Sequence, residues 1–136
     1  MRYLRVKLRH LDAAVEERRG LSQHYRNGLP RSVYRHPDPT PEGRHAYHLF
    51  VVEVEDRRRV CAALAAAEIG YGIHYPVPVH CMEAYRFLAR ANKLPVAERT
   101  AQRVLSLPLY PGLEKQAVDQ VIELLRSLPD AADAGA

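Results

Sequence analysis

The stretch HAYHLFVVEVEDRRRVCAAL, residues 45–64, decides how this chain folds. His45 to Glu55 alternates in character and is rich in Tyr, Phe and Val, which predicts a β-strand. Tyr47, Leu49 and Val51 fall on one face, and His48, Phe50, Val52 and Val54 on the other. Both faces carry apolar residues, so the strand reads as central and covered on two sides. Asp56 follows as the N-cap of a helix from Arg57 to about Glu68, with Gly70 placed to close it. A strand running straight into a capped helix sets the pattern for the rest of the chain.

Upstream, Leu4, Leu8, Leu11 and Val15 recur at helical spacing, and Leu21 and Tyr25 continue the stripe. They predict one long helix from about Arg2 to Asn27, occupying residues 1–28, with Gly28 and Pro30 as its stop. No Ser, Thr, Asp or Asn caps its start, so it reads as a helix cut from a longer element. Residues 29–44 hold Pro30, Pro37, Pro39 and Pro41 and read as a connector. Downstream, Ile69 to Tyr75 is a second short strand, and Cys81 to about Ala91 resumes helical spacing. Pro95 to Val104 is a short helix with proline in its first turn. Leu105 to Leu109 is a strand candidate. Glu114 to Leu128 is an amphipathic helix striped by Ala117, Val121, Leu124, Leu125 and Leu128.

The expectation is a single α+β domain over 1–129, its sheet-and-helix body at 45–129, with a disordered tail at 130–136. The sheet is small, mainly antiparallel and covered by helices.

At 136 residues the chain is about one domain long, and its 47% apolar and 26% charged composition is that of a globular protein. The longest apolar run is Val60 to Ala67, far short of the roughly 20 residues that span a membrane. No membrane association is expected, and the charged N-terminus has no apolar signal region. The net charge is +4, and 17 of the 20 basic residues are arginines. They are scattered, with no aromatic-basic stripe, so the charge reads as a solvated surface and nucleic acid is not expected as a partner. Two cysteines 20 residues apart, Cys61 and Cys81, form no disulfide scaffold, which points to a reducing cytoplasm.

Chemistry concentrates in His74-Tyr-Pro-Val-Pro-Val-His80. Two prolines hold this segment extended, and two histidines and a tyrosine on a stiff loop present polar groups at small entropic cost. Histidine is the usual acid-base group near neutral pH, Tyr75 can donate a hydrogen bond, and Glu83 shares a face with His80 if a helix starts there. His74, Tyr75, His80 and Glu83 are therefore the candidate catalytic residues, with His45 and His48 on the preceding strand. The plainer reading stands beside it: His80 and Glu83 begin a helix, and His74 fills a hydrogen bond at a strand end. No histidine spacing matches a metal motif, so no metal is assigned. Neither Ser22 nor Ser106 sits in a nucleophile elbow, while Cys81 beside His80 at a possible helix start is a weak thiolate candidate. Lys7, Lys93 and Lys115 all read as solvated rather than as buried Schiff-base lysines.

The segments YLRVKLRHLD, YRNGL, HAYHLFVVEVEDRRRVCAAL, GIHYPVPVH, LPVAERTAQRVLSLPLYPGL and VIELLR follow one another in the order seen in the DegT/DnrJ/EryC1/StrS sugar aminotransferases. The resemblance covers about residues 3–128. It implies the small C-terminal domain of a fold-type-I, pyridoxal-phosphate (PLP) enzyme. That family works as homodimers transaminating nucleotide-linked keto-sugars. Its Schiff-base lysine, the aspartate facing the pyridine nitrogen and an Asn/Arg stretch all lie upstream of the matched region. The resemblance places His74–His80 near the active-site mouth. It also implies that this chain holds no cofactor alone and is not by itself a transaminase, with PLP entering only through a partner. Three roles remain open: completing or regulating a PLP-binding partner, a PLP-independent small-molecule binding or acid-base role at His74–His80, or an inactive fragment. An apolar face left bare on the first helix predicts a homodimer or a heteromer with a PLP-binding chain.

Overall fold

The computed structural model of the chain describes residues 2–85, 87 and 93–128. Strands β1 (Phe50–Glu53) and β2 (Val104–Leu107) pair antiparallel, with Phe50 opposite Leu107 and Val52 opposite Leu105. Single bridges widen the sheet on both edges: Arg35 exchanges backbone bonds with Glu53, and Gly72 with Ser106. The lateral order is Arg35, β1, β2, Gly72, antiparallel throughout. This is the expected α+β architecture with a small antiparallel sheet.

Phe50, Val52, Val54, Leu105 and Leu107 bury one sheet face. Against it pack Leu21 and Tyr25 of α2 (Leu11–Gly28), Val60 and Leu64 of α3 (Arg57–Ala66), and Val118, Val121, Ile122 and Leu125 of α5 (Lys115–Ser127). The Tyr25 and Phe50 rings stack at 4.9 Å, and the Tyr25 hydroxyl donates to the Pro108 carbonyl at 3.1 Å. Burial pushes the Tyr25 phenol well above its ordinary range, so it stays a donor. Helix α5 crosses α2 where Gly28 leaves room for Ile122. Val118 and Ile122, outside the anticipated α5 stripe, are buried.

The first strand is shorter than 45–55. Tyr47 takes a left-handed backbone (φ 45°), its N–H donating to His45 Nδ1 at 2.9 Å, and this turn keeps the chain off the ladder until Phe50. The opposite face is only half covered: Tyr47, Leu49 and Val51 are partly exposed. The strand anticipated at 69–75 reduces to the Gly72 bridge, because Pro76 and Pro78 beyond it have no N–H to donate.

Asp56 caps α3 as expected, its carboxylate accepting from Arg59 N at 3.0 Å. The helix ends earlier than anticipated, and Glu68 rather than Gly70 closes it. Glu68 is left-handed (φ 56°), Ile69 N–H bonds the Leu64 carbonyl at 2.9 Å and Glu68 N–H bonds Ala65 at 3.0 Å. That pair of bonds is a Schellman closure. It turns Ile69 against the core.

The single long N-terminal helix is two: α1 (Arg2–Leu8) and α2, separated by a turn at Arg9 and His10. Packing explains the difference. Leu21, Ser22 and Tyr25 are buried, whereas Tyr3, Leu4, Val6 and Leu8 are 56–73% exposed, so among the described residues little packs on the first turns. The proline-rich segment is more than a connector. Leu29, Tyr34 and His36 are buried, and the Tyr34 hydroxyl donates to the Leu125 carbonyl at 2.7 Å. Arg26 reaches Pro37 O at 2.9 Å and Asp38 at 3.0 Å, and Arg31 also grips Asp38, holding that carboxyl down to about 2. In place of a helix starting at Cys81, two 3-10 turns run over Val79–Cys81 and Glu83–Tyr85. The remainder of the anticipated 81–91 helix falls largely outside the described residues, as does the 130–136 tail. Helix α4 (Pro95–Arg103) leads directly into β2.

Candidate functional site

The sheet edge positions the site. After bridging Ser106, Gly72 lets the chain fold back so that His74 Nδ1 meets Ser106 Oγ at 3.0 Å. A β-carbon at 72 would stand 2.4 Å from His74 Cε1, so this ring position depends on glycine. Ser106 is buried in β2, which gives His74 a fixed partner. His74 is then the wall between two clefts. One, about 590 Å³, is lined by Tyr71, Gly72, His74, Ser106, Tyr110 and Val121 among others. The second, about 540 Å³, is lined by His74, Tyr75, Val79, His80, Tyr85 and Leu94 among others. Both are largely apolar in lining with a few polar groups, as small-molecule sites are.

Tyr75 is 73% exposed, its ring edge-on to His74 at 5.9 Å. His80 turns away from Glu83. Its Nε2–H donates to Glu98 Oε1 at 3.1 Å, and Glu98 also accepts from Leu94 N at 3.2 Å. The bond from His80 holds the Glu98 carboxyl below the ordinary carboxylate range. Glu83 opens the next 3-10 turn, separated from His80 by the extended backbone of Met82 (ψ 146°). The anticipated His80–Glu83 pairing on one helical face is therefore not formed. The structure brings His74, Tyr75 and His80 onto one cleft and leaves Glu83 outside its lining.

His45 and His48 join neither cleft. His45 contacts Tyr47 in the turn before β1, at 4.2 Å between rings. Two residues that matter here were missed in the sequence. Ser106 lacks a nucleophile elbow, and its place in a strand candidate is the signal that it is a buried partner. Glu98 lies four residues after Leu94, and that reach back to a helix start was the available signal.

Residues 3–126 match the DegT/DnrJ/EryC1/StrS aminotransferase family. The chain is 42% identical over 128 residues to the erythromycin biosynthesis sensory transduction protein EryC1 of Saccharopolyspora erythraea, covering 91% of this chain and 34% of that protein. It is 37% identical over 131 residues to the dTDP-3-amino-3,4,6-trideoxy-alpha-D-glucose transaminase of Micromonospora megalomicea subsp. nigra, covering 92% and 35%. Among solved structures, S. venezuelae DesV in complex with a ketimine intermediate superposes with a TM-score of 0.84 at 36% identity, over 94% of this chain and 36% of that one. A DegT DnrJ EryC1 StrS aminotransferase from Brucella abortus superposes with a TM-score of 0.80 at 31% identity, over 88% and 32%. The chain thus spans about a third of the length of the relatives it matches. Among the described residues, no helix is long and apolar enough to cross a membrane.

Proposed function

The chain belongs to the DegT/DnrJ/EryC1/StrS aminotransferase family, and from that premise we propose that it acts as the small-domain component of a sugar aminotransferase site, completed by a PLP-binding partner. The described residues do not themselves fit PLP. Lys7, Lys93 and Lys115 are all exposed, Lys7 lies over the Tyr3 ring at 5.0 Å, and none of the three lines either His74 cleft. In this reading the cofactor and its lysine belong to the partner, and this chain contributes the wall built on His74 and Ser106. The substrate is a nucleotide-linked sugar, the class named for the Micromonospora relative.

The observation that carries the reading is the bare face of α1. Tyr3, Leu4, Val6 and Leu8 are 56–73% exposed, and Leu4 and Leu8 share one side of the helix. A contiguous apolar face of this kind marks a docking surface. Light scattering over a dilution series of the purified chain tests it. The wild-type chain is expected to associate at micromolar concentration, and Leu4→Glu with Leu8→Glu to shift it to monomer. A clean wild-type monomer would contradict the docking surface.

A further inference from the structure

We propose that His80, Cys81 and Glu98 form a binding site for a thiophilic divalent cation of the zinc class, with one coordination position left open. Their donor atoms, an imidazole nitrogen, a thiol sulfur and a carboxylate oxygen, all lie within 4.8 Å of one another. His80 Nε2 and Glu98 Oε1 are already 3.1 Å apart. Tetrahedral zinc, with bonds of about 2.0–2.3 Å, needs its donors about 3.3–3.6 Å apart. That pair therefore needs to open by only a few tenths of an ångström. Cys81 is exposed at the end of a 3-10 turn, so its Sγ is free to rotate into the third position.

The chemistry of the set is selective. A thiolate with imidazole and carboxylate favours zinc over magnesium or calcium, which prefer oxygen alone. A thiolate and a carboxylate together neutralise a divalent charge. In the metal-free state the His80 Nε2–H donates to Glu98; on binding, that proton and the Cys81 thiol proton pass to solvent and the cation takes their place. Glu98 Oε1 also accepts from Leu94 N–H at 3.2 Å, which fixes the carboxylate's direction as an outer partner does in metal sites. His80 also lines the cleft shared with His74 and Tyr75, so the site adjoins that cleft. Sequence spacing conceals it, because two ligands are adjacent and the third comes from a different helix. The proposal stands apart from the PLP-partner reading and does not need it.

The test is titration of the full metal-free chain with Co²⁺ alone, followed by absorbance, and then displacement by Zn²⁺. One equivalent is expected to give a thiolate-to-cobalt charge-transfer band with intense four-coordinate ligand-field bands. Cys81→Ser should abolish the charge-transfer band and weaken binding at least tenfold, whereas Cys61→Ser should leave both unchanged. Glu98→Gln should weaken binding while the thiolate band persists. Far-UV circular dichroism confirms that each variant is folded. Absence of the band in the wild-type chain at millimolar Co²⁺, or its loss in Cys61→Ser but not in Cys81→Ser, would overturn the proposal.

Discussion

Gly72 and His74 are matched by size: a β-carbon at 72 would stand 2.4 Å from Cε1 of the His74 imidazole. Gly72→Ala should push the ring outward and break its 3.0 Å contact with Ser106. The expected loss is about 1 kcal/mol of stability, the worth of one partly buried hydrogen bond. Ser106→Ala should cost a similar amount, and the double variant little more than either alone, since both remove the same contact. Chemical denaturation of the four proteins checks this, and strict additivity would show that the contact contributes nothing.

Gly28 is required by a neighbour rather than by a turn. A methyl there would meet Ile122 Cδ1 at 2.5 Å and Cγ2 at 2.9 Å. Helix propensity favours alanine by about 1 kcal/mol, and overpacking costs about 1–3 kcal/mol. The steric term is expected to win, so Gly28→Ala lowers the unfolding midpoint. Ile122→Val removes the nearest atom and should recover part of that loss in the Gly28→Ala background. A stabilised Gly28→Ala would mean that α2 and α5 are not in close contact.

Glu68 closes α3 in a left-handed conformation that side chains other than glycine resist. Glu68→Gly removes about 1 kcal/mol of backbone strain and loses part of it to chain entropy, for a net gain of about 0.5 kcal/mol. A thermal melt reads this as a raised midpoint. A lowered midpoint would show that the Glu68 side chain makes a contact worth more than the strain.

His36 is buried, with Nδ1 3.2 Å from Arg26 Nη1 and its ring 5.8 Å from Phe50. Burial first, and the Arg26 and Arg31 charges after it, hold its pKa below 6.5, with the Pro37 backbone and Asp38 opposing. The unfolded chain therefore takes up a proton near pH 6.5 before the folded chain does. The stability from neutral His36 is fully present above that pH and is lost as pH falls toward the folded pKa. Urea midpoints of the wild-type chain should accordingly drop relative to His36→Gln between about pH 7 and pH 5. Parallel curves would mean that His36 titrates alike in both states.

Local signals in the sequence were legible where local physics decides. The alternation of Phe50, Val52 and Val54 gave the buried sheet face, and Asp56 gave the cap of α3. Long-range contacts were not. The break at Arg9 and His10 goes with the exposure of Tyr3, Leu4, Val6 and Leu8 among the described residues, which no periodicity reveals. Tyr47 and Glu68 adopt left-handed backbones that their residue types disfavour, so no composition rule marks them. In the site, the proline-braced loop marks out His74 and His80. Their partners, Ser106 and Glu98, come from β2 and α4, and only the fold brings them near. Glu83 is close to His80 in sequence, but the extended backbone of Met82 sets it in the next turn.

The proposed role of this domain is to work against a PLP-binding partner. Affinity capture of the tagged chain from its source cells, with mass identification of what co-purifies and quantification of bound PLP, tests it most directly. A stoichiometric PLP-carrying polypeptide that supplies the Schiff-base lysine is the expected result. Recovery of the chain alone, or only with copies of itself and no PLP, would contradict it.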